Sequence, residues 1–277
     1  MEIFQTILVF IIGAMFGSAA NALIDRLPRE ESWFTGRSHC DKCGHTLEFE
    51  DLIPIFSYLY LAVFNNTPSN PPLNLSGGRK PQRTKRPFLG AGCRYCGAPI
   101  PYRNLLVEIF MGIGFVAISY FGNLSNLGMI VLMGILWVTT IIAVMDWETK
   151  LVSEVMVVVW GVLVLLLNLS NLSNLGNLGG LAAAAGVIGG LWAVTRGKAM
   201  GFGDVEIAIV MGWWLGWPKI ATGLWIAFVV GAIIGVIKLI KRLSDLKSEI
   251  AFGPFLVLGA WVGWLWGDVL WHAMGIR

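Results

Sequence analysis

Two aspartates and four cysteines are the residues of this chain whose types and spacing point to chemistry. Asp146 follows Ala143-Val144-Met145 at the end of a long apolar run, and Asp204 follows Ala199-Met200-Gly201-Phe202-Gly203 at the start of another. A carboxylate at the edge of hydrocarbon is costly unless it is partnered or used. A lone Asp at a helix end is more often a cap or a solvated boundary charge than a catalyst. Two at matching depth on different helices can form a dyad. Like charges held close cannot both ionise, so the pair shares a proton. One member then activates water and the other protonates the carbonyl oxygen or the leaving amine. That is peptide hydrolysis with no covalent intermediate and no catalytic metal. Gly201 and Gly203 bracket Phe202, so the backbone there can approach a substrate or a second helix closely. The chain has no Gly-x-Ser-x-Gly and no His-Glu-x-x-His, and its histidines are His39, His45 and His272.

The cysteines fall in two pairs, Cys40-Asp41-Lys42-Cys43 and Cys93-Arg94-Tyr95-Cys96, each followed by glycine. Two such knuckles with no cysteine left over are the pattern of a tetrahedral thiolate zinc site. Two thiolates on one tight turn reach one metal, and Gly44 and Gly97 let backbone amides point at the sulfurs. Four thiolates leave no open position, so the zinc is expected to be structural. His39 and His45 flank the first pair and are not expected to bind. Two disulfides are the other way to use four cysteines. The segment is expected to be cytoplasmic, where thiols stay reduced, which disfavours them.

These groups must be positioned by a membrane protein. Of the 277 residues, 56% are hydrophobic and only 13% charged, against about 25% charged in a soluble domain. Apolar runs recur near the length that crosses a bilayer. The expected fold is an all-α polytopic membrane protein of about eight transmembrane helices. The spans are placed at 4–24, 104–121, 128–145, 152–168, 178–195, 205–217, 219–237 and 252–271. A small cytoplasmic zinc-knuckle domain lies between the first and second. Residues 1–24 are then the first transmembrane helix, 25–103 the knuckle domain and 104–277 a seven-helix membrane core. Residues 65–90, rich in Pro, Asn and basic side chains, read as a flexible insertion. Ser18-Ala19-Ala20 looks like a signal cleavage site, but no Lys or Arg precedes Arg26, so the first run reads as a retained span.

Charge sets the orientation. With eight spans, eighteen of the twenty Lys and Arg fall on one side, and only Lys219 and Arg277 on the other. The basic side is cytoplasmic. Residues 25–103, Asp146 and Asp204 are placed there, and both termini outside. The opposite-side loops repeat Asn-Leu-Ser and Asn-Leu-Gly and read as low-complexity linkers. Asn21, Arg26, Arg103 and Glu108 sit at the cytoplasmic ends of spans one and two. Boundary charges that snorkel or pair are common there. An Arg103–Glu108 structural pair and a role in substrate or cofactor binding are both open for them.

Taken in order, these stretches resemble the type IV prepilin leader peptidase/N-methyltransferase family of bacterial membrane aspartic peptidases. Gly17-Ser18-Ala19-Ala20-Asn21 through Arg26-Leu27-Pro28 resembles its first-span signature, and the paired knuckles follow with Asp51-Leu52-Ile53-Pro54 between them. Pro99-Ile100-Pro101-Tyr102-Arg103 and Val107-Glu108 open the second span. Asp146 through Leu151-Val152-Ser153-Glu154 is similar to the first aspartate motif, Ala199 through Asp204 to the second, and Ala251-Phe252-Gly253-Pro254-Phe255-Leu256 to the last-span motif. The resemblance implies that Asp146 and Asp204 are the catalytic pair. It implies a prepilin or pseudopilin substrate, cut on the cytoplasmic side of the bacterial inner membrane. It also implies methylation of the new N-terminus with S-adenosylmethionine, tied to the knuckle region. Three features depart from the family pattern: Ser153 where proline is common, Glu206 where lysine is common, and the 65–90 insertion.

Two other readings use the same residues. A zinc-bearing scaffold or ion-coupled transporter would use the aspartates to bind a proton or ion. It would favour an internal repeat and broken helices at the midplane, and neither is visible. A peptidase of the signal-peptide or presenilin-like kind shares the Gly203-Asp204 pattern but not the cytoplasmic knuckles.

Overall fold

The computed structural model describes residues 3–31, 39–40, 42–46, 55, 92–93, 96, 98–121, 125–168, 175–198, 200–241, 251–273 and 275. The 65–90 insertion, Ala199, and all of Asp51–Leu59 but Ile55 lie outside them. The described residues form helices joined by turns, with two isolated β-bridges and no strands. The helices are α1 (Ile3–Arg26), α2 (Tyr102–Phe121), α3 (Asn126–Thr149), α4 (Glu154–Asn168), α5 (Leu175–Ala184), α6 (Gly190–Thr195), α7 (Phe202–Leu215), α8 (Lys219–Ile240) and α9 (Gly253–Ala273). A π-helical turn, Ala185–Gly189, joins α5 to α6. The fold is all-α, and the chain is an integral membrane protein. Among the described residues six helical segments are long and apolar enough to cross a membrane, and α4 is a shorter apolar helix. Each of the eight expected spans coincides with a helical segment. The count of eight therefore includes α4 and α7, which fall short of a full crossing. At about 1.5 Å per residue, the 14 residues of α7 run about 21 Å, less than the roughly 30 Å of hydrocarbon.

Packing divides the chain into two compact units, Met1–Asn123 and Leu124–Arg277. In the first, α1 and α2 run antiparallel against each other. Lipid is as apolar as leucine, so two membrane helices gain most where small residues let their backbones touch. A Cβ built at Gly13 would lie 2.6 Å from Met111 O, and one at Gly17 2.6 Å from Glu108 Cα. One turn further, Asn21 Nδ2 donates to Asn104 O at 3.0 Å. Gly13, Gly17 and Asn21 are spaced by one helical turn, so a single face of α1 makes the seam. Its other faces carry Ile3, Phe4, Ile7 and Met15, all more than half exposed, as a lipid-facing surface requires.

In the second unit, α9 packs against α3, α7 and α8, and α7 also packs on α4 and α5. Glycines again set the close approaches. Gly180 of α5 faces Gly212 and Gly216, and Gly223 of α8 faces Gly259 of α9. The short α7 buries Val205, Ile207, Ala208, Met211, Trp214 and Leu215, so protein rather than lipid surrounds much of it. Polar side chains in the apolar helices bond locally. Thr139 and Thr140 donate to carbonyls one turn back at 2.7 Å, which satisfies the hydroxyls inside the bundle. Thr139 Oγ1 also accepts from Trp261 Nε1 at 3.1 Å, tying α3 to α9.

The seam of the first unit yields a test. Gly17→Val puts a branched side chain against the Glu108 backbone, which cannot move aside as a side-chain tip would. It should lower stability by about 1–3 kcal/mol, the usual cost of overpacking, read as thermal unfolding in detergent. Gly186→Ala, which meets nothing within 4 Å, should not lower it.

Candidate active site

Asp146 lies on the last turns of α3 and Asp204 on the first turn of α7. Both are buried, at 4% and 7% exposure. They line one cavity of about 780 Å³ and interact electrostatically. The cavity sits at the end of the second unit where α3 ends, α4 begins, α6 ends, and α7 and α9 begin. The antiparallel run of the chain brings these ends together. Two carboxylates far apart in sequence thus share one polar space.

The two aspartates are placed differently. Asp146 Oδ2 accepts a hydrogen bond from Gly253 N–H at 2.8 Å. Asp204 is the third residue of α7, and Gly201 is its N-cap, in extended conformation. The Gly201 amide interacts with the Asp204 carboxylate electrostatically. An acid in the first turn complements the donors a helix leaves free at its start. The turn after Asp146 is closed by Lys150, whose φ of 57° is left-handed and whose N–H donates to Asp146 O at 2.8 Å.

Gly201 and Gly203 differ in use. A Cβ at Gly203 would lie 2.7 Å from Val152 Cβ, so the missing side chain lets α7 meet the segment after Asp146. A Cβ at Gly201 would meet nothing closer than 4.0 Å, and that residue lines the cavity. Glu206 also lines it, with Glu154, Lys150 and Lys198. The charge that departs from the family pattern therefore stands in a wall with both signs of charge. Phe228, Phe252 and Phe255 form an apolar wall of the same cavity.

In the first unit, the four cysteine sulfurs all lie within 4.8 Å of one another. The four cysteines form no disulfide, and Cys40 Sγ and Cys96 Sγ are 3.7 Å apart. Four sulfurs at about 2.3 Å from a central zinc stand roughly 3.8 Å from each other, so the cluster fits a tetrahedral metal and can hold one. Cys40 N–H donates to His45 O at 2.9 Å, Gly44 N–H to Cys40 O at 2.8 Å, and Cys93 N–H to Ala98 O at 2.8 Å. Gly44 takes φ of 70°, the left-handed turn that favours glycine. Burial pushes the Cys96 thiol up to about 12. Burial acts the same way on Cys40, but hydrogen bonds from Lys42 and Cys43 outweigh it and hold that thiol low. A divalent cation would favour the thiolate at all four positions. Among the described residues the cluster comprises the cysteines without His39 or His45.

The remaining expected residues form a polar end to the α1–α2 pair. Arg103 Nη2 pairs with Asp25 Oδ1 at 2.7 Å. Glu108 is buried at 7% exposure, and its Oε2 accepts from Ile55 N–H at 2.7 Å. Asn21 is buried, and its Oδ1 has no hydrogen-bond partner among the described residues. Arg26 is the last residue of α1, half-buried, with its carbonyl accepting from Glu31 N–H. Sequence reasoning gave no role to Gly253 or Val152. The available signal was the Phe252-Gly253-Pro254 break at the start of the last span.

Known proteins share this arrangement of segments. The family model described as bacterial peptidase A24 N-terminal domain matches residues 11–64, and that described as type IV leader peptidase family matches residues 130–236. The two matches fall in separate units. A Pseudomonas aeruginosa protein named prepilin leader peptidase/N-methyltransferase is 26% identical, over 93% of this chain and 89% of its own. One of the same name from Aeromonas hydrophila is 27% identical over 94% and 90%. One from Dickeya chrysanthemi is 26% identical over 92% and 90%. No solved structure matches the chain.

The contact beside Asp204 can be tested. Gly203→Ala should lower the thermal unfolding temperature in detergent by an amount equivalent to about 1–3 kcal/mol. Val152→Ala in the same chain should relieve little of it, because the nearest obstructing atom is Val152 Cβ itself.

Proposed function

We propose that this chain, which belongs to the type IV leader peptidase family, is a membrane-embedded aspartic endopeptidase. It removes the leader from a prepilin or pseudopilin. The observation that carries the reading is the pair of buried carboxylates, Asp146 and Asp204, lining one cavity. The names of the relatives supply the substrate class.

The pair shares one proton, because two carboxylates this deeply buried and interacting cannot both carry charge. The ionised member takes a proton from a water molecule, whose oxygen attacks the scissile carbonyl carbon. The protonated member gives its proton to the carbonyl oxygen. Collapse of the resulting gem-diol returns a proton to the leaving amine and breaks the C–N bond. Gly253 N–H holds the Asp146 carboxylate without being consumed. The helix ends and turns at this end of the unit carry Lys150, Arg196, Lys198, Lys238 and Lys241, which supports a cytoplasmic opening in a bacterial inner membrane.

The N-methyltransferase half of the relatives' name supports a second step on the new N-terminus, with S-adenosylmethionine as co-substrate supplying the methyl group. In the first unit, Glu108 and Asn21 Oδ1 are buried acceptors suited to a cationic group. Zinc at Cys40, Cys43, Cys93 and Cys96 is structural in this reading, since four thiolates close its coordination.

The test is co-expression with a leader-bearing prepilin, followed by intact mass. The chain should remove the leader. Asp146→Ala and Asp204→Ala should each reduce cleavage by at least about 10³-fold, as removal of one member of a catalytic unit does. Cleavage that survives both substitutions would end the aspartyl assignment. A methyl increment on the product would establish the second step. Metal analysis of the purified chain should find one zinc, lost in a Cys93→Ser, Cys96→Ser double variant.

A further inference from the structure

The contact between Asp146 and the start of α9 is specific in three respects. First, it uses a donor that has nowhere else to go. The first N–H groups of a helix lack intrahelical partners. In α9, Pro254 has no N–H, and the N–H groups of Phe255 and Leu256 both reach Phe252 O, at 3.0 and 3.2 Å. Gly253 N–H is left over, and it donates to Asp146 Oδ2 at 2.8 Å.

Second, the position admits no side chain. A Cβ at residue 253 would stand 2.7 Å from Asp146 Oδ2 and 3.2 Å from its Cγ. Any other L-residue would push the carboxylate out of its place. Third, the register of α9 on α3 is fixed elsewhere. Trp261 Nε1 donates to Thr139 Oγ1 at 3.1 Å. Thr139 precedes Asp146 by seven residues and Trp261 follows Gly253 by eight. At about 1.5 Å per residue, both steps cover roughly 10–12 Å along antiparallel axes. The two hydrogen bonds thus clamp the same pair of helices at two levels, and α9 cannot slide without moving the carboxylate.

We propose that Gly253 is a positioning residue of the aspartyl pair. Its main-chain N–H orients the Asp146 carboxylate toward the cavity, and its missing side chain leaves that carboxylate room. This rests on the peptidase reading above. A purely structural cap would hold α9 to α3 and leave turnover unchanged. A positioning contact sets the geometry of the reacting group, where a misplacement of about 1 Å can cost roughly 10²-fold in rate.

The experiment uses the full chain reconstituted with a leader-bearing prepilin, with kcat and KM measured separately. Gly253→Ala should lower kcat by about 10²-fold and leave KM within about twofold, since the geometry of the reacting group is lost and the substrate-binding walls are not. Replacing the residue by glycolic acid, an amide-to-ester change, deletes the N–H and adds no atom. It should lower kcat by about tenfold or more, in keeping with one lost charge-assisted hydrogen bond. Gly190→Ala, which meets nothing within 4 Å, should keep wild-type kcat. If Gly253→Ala does not fold, the ester variant decides alone. Wild-type kcat in the folded ester variant, or a loss confined to KM, overturns the proposal. Asp146→Ala run alongside separates the two readings. If it is inactive while the ester variant has wild-type kcat, only the positioning role fails. If it remains active, the aspartyl reading itself fails.

Discussion

A carboxylate buried at the end of an apolar helix must find a donor, and the way Asp146 finds one organises the second unit. The donor is a main-chain N–H on a different helix, Gly253 of α9. Satisfying the carboxylate therefore fixes where α9 begins against α3. The Trp261–Thr139 bond repeats the constraint further along the same seam. Asp204 is treated differently. It lies in the first turn of its own helix, so its position follows from where α7 starts. That start is in turn set by Gly203, which seats α7 on Val152. One acid is placed by tertiary packing and the other by the start of its own helix, and the segment 147–153 links the two placements.

Both units solve the packing problem of a membrane helix in the same way. Apolar side chains gain little by leaving lipid for protein, so association depends on close backbone approach. The α1–α2 seam runs over Gly13 and Gly17 to Asn21. The second unit uses Gly180 with Gly212 and Gly223 with Gly259. The polar groups are spent at the ends of these seams. Asn21 meets Asn104 at one, Asp146 meets Gly253 at another, and Lys219 pairs with Asp268 at 2.9 Å at the opposite end of α8 and α9. Small residues bring the helices together, and a directional bond then sets their register.

Much of this was legible in the sequence, for a reason that differs by feature. The helical segments stand out because apolar runs are bounded by charge and by Pro or Gly. The sulfur cluster stands out because two Cys-x-x-Cys turns leave no cysteine over. The two aspartates stand out because acids are rare beside such runs. What could not be read is what backbone atoms do. No residue type announces that Gly253 N–H is the spare donor of its helix, since that depends on where the N–H groups of Phe255 and Leu256 turn. Pairing of α1 with α2 carried a signal in the turn-spaced Gly13, Gly17 and Asn21, but the sequence does not name their partners. The shortness of α7 was visible. That protein surrounds much of it was not, because burial depends on α4, α5 and α9. The pairing of Arg103 with Asp25 was hidden in the same way, since either Asp25 or Glu108 is a plausible acid near the end of span two.

The knuckle segment faces a constraint of the opposite kind. Residues 25–103 carry most of the Lys and Arg of the chain, and the knuckle turns themselves are short and polar. Short turns with little apolar surface commonly need a metal or disulfides to hold a fold. The described part has two small turns, each closed by a single bridge, His39 with Thr46 and Gly92 with Pro99. Neither turn buries enough apolar surface to persist alone. Four sulfurs within 4.8 Å can hold a metal, which would supply the crosslink such turns lack. A crosslink of that kind would also accommodate residues 65–90 between the knuckles. The entropy of closing a loop grows only with the logarithm of its length, about 0.6 kcal/mol for each doubling. Lengthening the connection between two turns that share a metal would thus cost little, whereas lengthening the segment between Asp146 and Val152 would unseat α7.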